Sequence, residues 1–233
     1  MAEEIQTQLF APLRPMSVAE QVFVSLHEQI LTFALPPGTK MSEVEVSKQM
    51  GVSRQPVREA FFRLSHLGFL LIRPQRATIV RQISSMEVLQ VMYIRAALET
   101  EVVCKAATTL KPDGLDQLAA LLDKQEIAAK AVDKIQFHLL DDAFHKTICD
   151  ATGVGFVWSL VKEKKTHMDR VRYLSLSVGT ELALREHKEI FNALKARDSD
   201  KAVAAIRKHL SRIKVDLPRI RREHEHYFAK EDQ

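Results

Sequence analysis

The chain has 233 residues, 46% apolar and 27% charged, which supports one or two packed domains and excludes a disordered chain. Its apolar runs fall short of the roughly 20 residues a membrane helix needs. A net charge of +4 is too small to mark a nucleic-acid binder, so such a reading must rest on local clustering. Cys104 and Cys149 are not a close pair, which argues against a disulfide or a cysteine-based zinc site and for a reducing cytoplasm. The acidic start, MAEEIQTQLF, lacks the apolar core of a signal peptide. With 7 Gly, 8 Pro and long 3.6-residue periodicity, a mainly helical fold is expected. Residues 1–16 read as an arm, and 17–33 as a helix with Val22, Leu26 and Ile30 on one face. Leu35-Pro36-Pro37-Gly38 stops that helix.

The next stretch, Ser42 to Arg81, reads as helix, turn, helix and β-wing. Glu43–Met50 is a short amphipathic helix, and Gly51-Val52 is the break. Ser53 is expected to cap a second helix through its hydroxyl, with Val57, Phe61 and Leu64 forming the inward stripe. The outward face carries Arg54, Gln55, Arg58 and Arg63. Two short strands, 69–72 and 78–80, flank a polar tip at Arg73-Pro74-Gln75-Arg76. Six arginines and one glutamate lie between Arg54 and Arg81. Guanidinium groups at the start of a helix oppose its dipole unless an anion or a base edge faces them. Arginine reads guanine bidentately, and arginine or glutamine clamps phosphate. Ser53, Arg54, Gln55, Arg58, Arg63, Arg73 and Arg76 are therefore the candidate DNA-binding residues; the alternative is a solvated basic face.

Gly-Val-Ser-Arg-Gln-Pro-Val-Arg-Glu-Ala at 51–60, with Arg63-Leu64 and Leu67-Gly68, resembles the winged helix-turn-helix of GntR-family bacterial transcription regulators. The remainder of the chain, C-terminal to the wing, resembles the FadR-like branch with its FCD effector domain. The chain departs from the family at the wing tip, where Ala77 stands in place of a frequent Gly. The resemblance implies double-stranded operator DNA as partner, bound by a homodimer, since paired winged domains read palindromic half-sites. The fold class expected is mainly α: a winged helix-turn-helix over 1–84 and an all-α helical bundle over 85–233.

In that second part, helices are expected over 86–109, 112–130, 133–150, 155–176, 180–197 and 199–214, with Ser85 as the first cap. Pro218 should end or kink the last helix, leaving a polar tail. Several polar side chains fall on apolar faces. Asp141 and His145 are four apart beside the stripe Phe137, Leu140, Phe144 and Ile148. His187 sits within the stripe Leu184, Ile190, Phe191 and Leu194, and His209 beside Ile206, Leu210 and Ile213. One carboxylate and three imidazoles suit a divalent ion, zinc first and nickel or another as alternatives. Hydrogen-bonded core histidines are the other reading. The metal-binding FCD subgroup carries Asp-x-x-x-His on one helix and single His residues on two later ones. The resemblance therefore implies Asp141, His145, His187 and His209 as the metal set. His66, His138 and His167 read as surface or ordinary polar contacts.

Arg95 shares a face with Val88, Met92, Leu98 and Val102. It either pairs with Glu99 one turn on or holds a small carboxylate against the metal. The resemblance to organic-acid sensors favours the carboxylate, with Tyr93 as a further effector contact. Arg170 and Arg172 are weaker candidates, read as part of an exposed, charged face. The function expected is a DNA-binding regulator, not an enzyme, whose operator affinity a small organic acid controls at a metal site. A metal-dependent hydrolase tethered to DNA, or an architectural DNA binder without effector, is the competing reading.

Overall fold

The computed structural model describes residues 16–73 and 77–230, except for the side chains of 176–178. Among these residues the fold is mainly helical with one small sheet. Helix α1 (Val18–Leu31) is capped by the Ser17 hydroxyl, which accepts from the Glu20 amide. Helices α2 (Glu43–Met50) and α3 (Arg54–His66) meet at Gly51, whose φ of 64° puts it in the left-handed region that glycine tolerates. Strand β1 (Lys40–Met41) lies outside the two strands read from sequence. It pairs antiparallel with β3 (Thr78–Val80), which pairs with β2 (Leu70–Leu71), in the order β1-β3-β2. Two-residue strands carry too little periodicity to be read in advance. Val22, Leu26, Ile30, Val57, Phe61 and Leu64 close one apolar core beneath this sheet.

The helical part comprises α4 (Ser85–Thr109), α5 (Pro112–Lys130), α6 (Lys134–Ala151), α7 (Gly155–Lys164), α8 (Thr166–Lys195) and α9 (Ser199–Glu223). A large core of Phe137, Phe144, Trp158, Ile190 and their neighbours fills it. Four boundaries differ from expectation. Ser84, not Ser85, caps α4 by accepting from the Glu87 amide. The break expected near Gly179 falls at Lys165, whose buried ammonium lies 2.7 Å from both Asp142 and Asp169 and anchors the turn. Helix α8 runs through Gly179 because packing against α4, α5 and α9 outweighs the cost of one glycine. Helix α9 likewise continues past Pro218 to Glu223, its apolar residues Leu217 and Ile220 both buried. The tail is not a loose polar end. A short 3₁₀ turn (Glu225–Tyr227) brings buried Phe228 beside Ile83, where a third core gathers Val88, Met168, Val171 and Ile213. No helix among the described residues is long and apolar enough to cross a membrane.

Candidate metal centre and DNA-facing surface

Three helices deliver four buried side chains to one point. Helix α6 presents Asp141 and His145 one turn apart, α8 presents His187, and α9 presents His209. One ligand atom from each lies within 4.8 Å of all the others. His209 Nε2 is 3.3 Å from both His145 Nε2 and His187 Nε2. His187 Nε2 is 3.4 Å from Asp141 Oδ1, and His145 Nε2 is 3.9 Å from Asp141 Oδ2. A tetrahedral ion with bonds of about 2.0–2.1 Å sets neighbouring donors about 3.3 Å apart, so the spacing fits.

The outer ring atoms decide the tautomers. His187 Nδ1 is 2.7 Å from Gln125 Oε1, and the Gln125 amide is oriented by donating to the Leu140 carbonyl at 3.0 Å. His209 Nδ1 is 3.1 Å from Glu186 Oε2, and His145 Nδ1 is 2.6 Å from Glu99 Oε2. An oxygen thus lies within 3.1 Å of every Nδ1, with hydrogen-bond geometry at His187 and His209 and as a close ionic contact at His145, which favours the proton there and leaves each Nε2 as a lone pair aimed at the others. Burial, and the neighbouring histidines, push His187 and His209 well below the usual imidazole range. Burial alone would raise Asp141, but Arg172 and the histidines hold it well below the usual carboxylate range. Neither carboxylate oxygen of Asp141 makes a well-formed hydrogen bond. Three facing lone pairs and a carboxylate, the latter also paired with Arg172, form a buried cluster that could hold a metal ion.

Sequence reading missed the outer layer. Glu99, Gln125 and Glu186 are each buried beside an imidazole. Their signal was available, since each is a polar residue on an otherwise apolar helix face. Arg95 settles on Glu99, with Nε 2.6 Å from Oε1, so the intrahelical pair is the observed one. Arg212 donates to Glu186 from Nε at 3.0 Å. Both arginines also line a cavity of about 160 Å³, together with Arg172, Arg219, His209 and Met168. Tyr93 is not on its wall; it is 73% exposed on the far face of α4. Arg170 is buried and Arg172 half-buried, so neither is part of an exposed face, and Arg172 is in ionic contact with Asp141. His138 and His167 are buried as well, so neither is a surface residue. His138 joins Asp142 and Asp169, but the Lys165 ammonium already supplies the cation there.

In the winged part, Arg54 and Arg58 stand on the first turns of α3 with side chains 59% and 58% exposed. Glu43 reaches both, at 3.8 Å and 3.3 Å. Ser53 occupies the cap position but makes no capping hydrogen bond, contrary to expectation, so its exposed hydroxyl is available to a ligand. Gln55 is exposed and bonds Glu59. Arg63 is turned toward α1, 2.5 Å from Glu20 and over the Phe23 ring at 3.9 Å. Arg73 is exposed, and Arg76 lies outside the described residues.

Residues 18–80 match the model of bacterial regulatory proteins of the gntR family, and 90–212 match the FCD domain. The chain belongs to the gntR family of transcription regulators. It is 37% identical over 229 residues to the HTH-type transcriptional repressor RspR of Escherichia coli, covering 97% of this chain and 99% of that one. In fold it is similar to E. coli McbR/YncC, with TM-score 0.73 and 24% identity over 90% of this chain and all of that one. A gntR-type regulator from Rhodococcus sp. RHA1 gives 0.72 at 20% identity, over 87% and 98% of the two chains. GntR-family proteins regulate transcription by binding DNA and are not enzymes, which sets the tethered-hydrolase reading aside.

Proposed function

We propose that this GntR-family regulator binds operator DNA as a homodimer, and that a small organic acid controls that binding from a metal-containing FCD domain. The division at Ser84 separates the two roles: 1–84 reads DNA and 85–233 senses the acid. Arg54 and Arg58 are assigned to base edges, Ser53 and Gln55 to the adjoining backbone, and Arg73 and Arg76 to phosphates along the wing. Arg63, held by Glu20 and Phe23, is reassigned to fixing α3 on α1. Repression is the direction proposed, by likeness to the protein named RspR. A cytoplasmic location goes with this role.

The observation that carries the metal reading is the convergence of three Nε2 lone pairs with Asp141, each outer Nδ1 facing an oxygen. Asp141, His145, His187 and His209 would hold the ion, and zinc suits their donor set. Bound there, the ion supplies a Lewis acid at the cavity wall formed by His209. The chain's own part is to bring Arg95, Arg172, Arg212 and Arg219 to the same cavity, with Asp216 as the carboxylate among its lining residues. Each of these arginines already pairs with a carboxylate, Glu99, Asp141, Glu186 or Glu223, so a small acid would be held by the N–H donors they have left over. Tyr93 has no part in it.

Metal analysis after reconstitution with zinc tests the reading. About one ion per chain is expected for the wild type, and a marked loss for Asp141→Ala and His209→Ala. Fewer than about a tenth of an ion per wild-type chain would sink the metal site, because four buried polar groups need near-full occupancy.

A further inference from the structure

The segment Arg81–Ser84, between β3 and α4, is held from three sides. The Arg81 amide donates to the Phe69 carbonyl at 2.9 Å. The Ile83 amide donates to the Tyr227 carbonyl at 2.8 Å, and the Ala229 amide donates to the Ile83 carbonyl at 2.9 Å, so the C-terminal segment pairs with it like a short strand. Helix α8 supplies the third side. Arg170 Nη1 donates to the Arg81 carbonyl at 2.5 Å, and the Ser84 amide donates to His167 Nδ1 at 3.2 Å. One residue earlier, the Thr166 hydroxyl donates to the Leu67 carbonyl at the end of α3.

Two features separate this joint from ordinary packing. The first is the tautomer. A backbone N–H can only donate, so His167 Nδ1 is an acceptor and its proton sits on Nε2, 2.9 Å from Glu87 Oε2. Arg170 Nη2 donates to the same Nδ1 at 2.8 Å. The second is charge. Arg170 is fully buried; among the described residues it hydrogen-bonds no carboxylate, Glu87 and Asp169 acting on it only at longer range, and its Nε has no partner. It sits beneath Phe69, its guanidinium 5.8 Å from the ring centre. A guanidinium with an acid to pair would be an ordinary buried ion pair; this one spends its donors on a carbonyl and an imidazole at the joint.

We infer that Arg170 and His167, together with the C-terminal segment around Phe228, clamp the joining segment and fix the orientation of the DNA-reading part. They are positioning residues for operator recognition. Two reading heads must meet half-sites about one helical turn apart, so orientation enters affinity directly. The clamp stands on the same turns of α8 as the cavity residues Met168 and Arg172, and Met168 also packs in the core around Ile83 and Phe228. A shift of those turns on the cavity side would therefore move the clamp. That last step rests on the proposed acid-sensing role; the clamp itself does not.

Hydrogen–deuterium exchange on the full-length protein tests the clamp, read over 67–71 and 78–84 and compared with α5 and α6. Arg170→Met keeps the apolar stem and removes the donors. His167→Leu removes the acceptor, while His167→Asn keeps an oxygen where Nδ1 stood. Phe228→Ala loosens the opposite side. We expect exchange over 78–84 to rise about tenfold in Arg170→Met, His167→Leu and Phe228→Ala, with α5 and α6 unchanged. His167→Asn should restore most of the protection. The same three variants should bind a duplex enriched by the wild type from a random pool several-fold more weakly, yet bind calf-thymus DNA as the wild type does. Unchanged exchange over 78–84, an equal rise throughout the chain, or His167→Asn behaving like His167→Leu would each overturn the clamp. Wild-type zinc content in every variant is expected. Loss of local protection in protein that holds no zinc, wild type included, would leave the clamp standing and count against the metal reading alone.

Discussion

At the scale of single residues, the outer layer of the candidate metal centre decides what the inner one can do. Glu186 faces His209 Nδ1 and is itself held by Arg212. Glu186→Gln keeps the shape but can present an amide donor to a ring N–H, which disturbs tautomer and orientation together. Zinc affinity should fall about 10–100-fold, measured by competition with a chromophoric chelator. An unchanged affinity would mean that burial alone orients His209. His167 makes a different prediction, in pH. Burial, with Arg170 and Arg81 adding to it, lowers its folded-state pKa to about 3 from 6.5. The unfolded state therefore takes up a proton first as pH falls. Stability from this group is intact above pH 6.5 and declines between there and about 3. The slope is at most about 1.4 kcal/mol per pH unit. His167→Asn has no such proton, so the stability gap between wild type and variant should narrow as pH falls, followed by denaturant melts. Parallel curves would contradict it.

At the scale of elements, α8 is the informative helix. It runs from Thr166 to Lys195 and carries clamp, cavity wall and His187 in turn. Gly179 lies within it at ordinary helical geometry, and a methyl group there would meet nothing within 4 Å. Glycine in a helix interior costs about 0.5–1 kcal/mol relative to alanine. Gly179→Ala should raise stability by about that amount, read as a higher melting temperature. A lower one would show that local bending at Gly179 is needed where the helix borders the cavity. The same helix explains why Arg172 was misread: the polar residues between Thr166 and Arg172 resemble a solvated face, whereas Thr166, Arg170 and Arg172 find partners on other elements and Asp169 pairs with Lys165 at the start of the helix.

At the scale of the whole molecule, DNA surface and cavity lie in different parts of the chain, joined by the clamped segment. If acid binding changes operator affinity, linkage requires operator to change acid affinity by the same factor. The proposed coupling of about 1–3 kcal/mol corresponds to roughly 5–150-fold. Calorimetry should therefore give different affinities with and without operator, for a small carboxylate first found by thermal shift. Equal affinities for an acid that does bind would mean the cavity is occupied without acting as the switch.

The reading helix, its turn and the wing were legible in the chain because they are local: Gly51, Ser53 and the stripe Val57, Phe61 and Leu64 act within a few residues of each other. The tetrad was legible in part, since Asp141 and His145 are one turn apart, while His187 and His209 stood out as polar residues on apolar faces. That the four side chains meet at one point required distances between α6, α8 and α9, which no periodicity encodes. Arg95 was left open for the same reason: spacing allows the Glu99 pair, but only the packed interior shows that pair also facing His145 and the cavity. The joint was not legible as a unit. His167 and Arg170 read as ordinary polar contacts or an exposed face, and Arg81 and Phe228 lie far from them in sequence; they become a unit because backbone groups of a buried connecting segment must find partners, and tertiary packing supplies them.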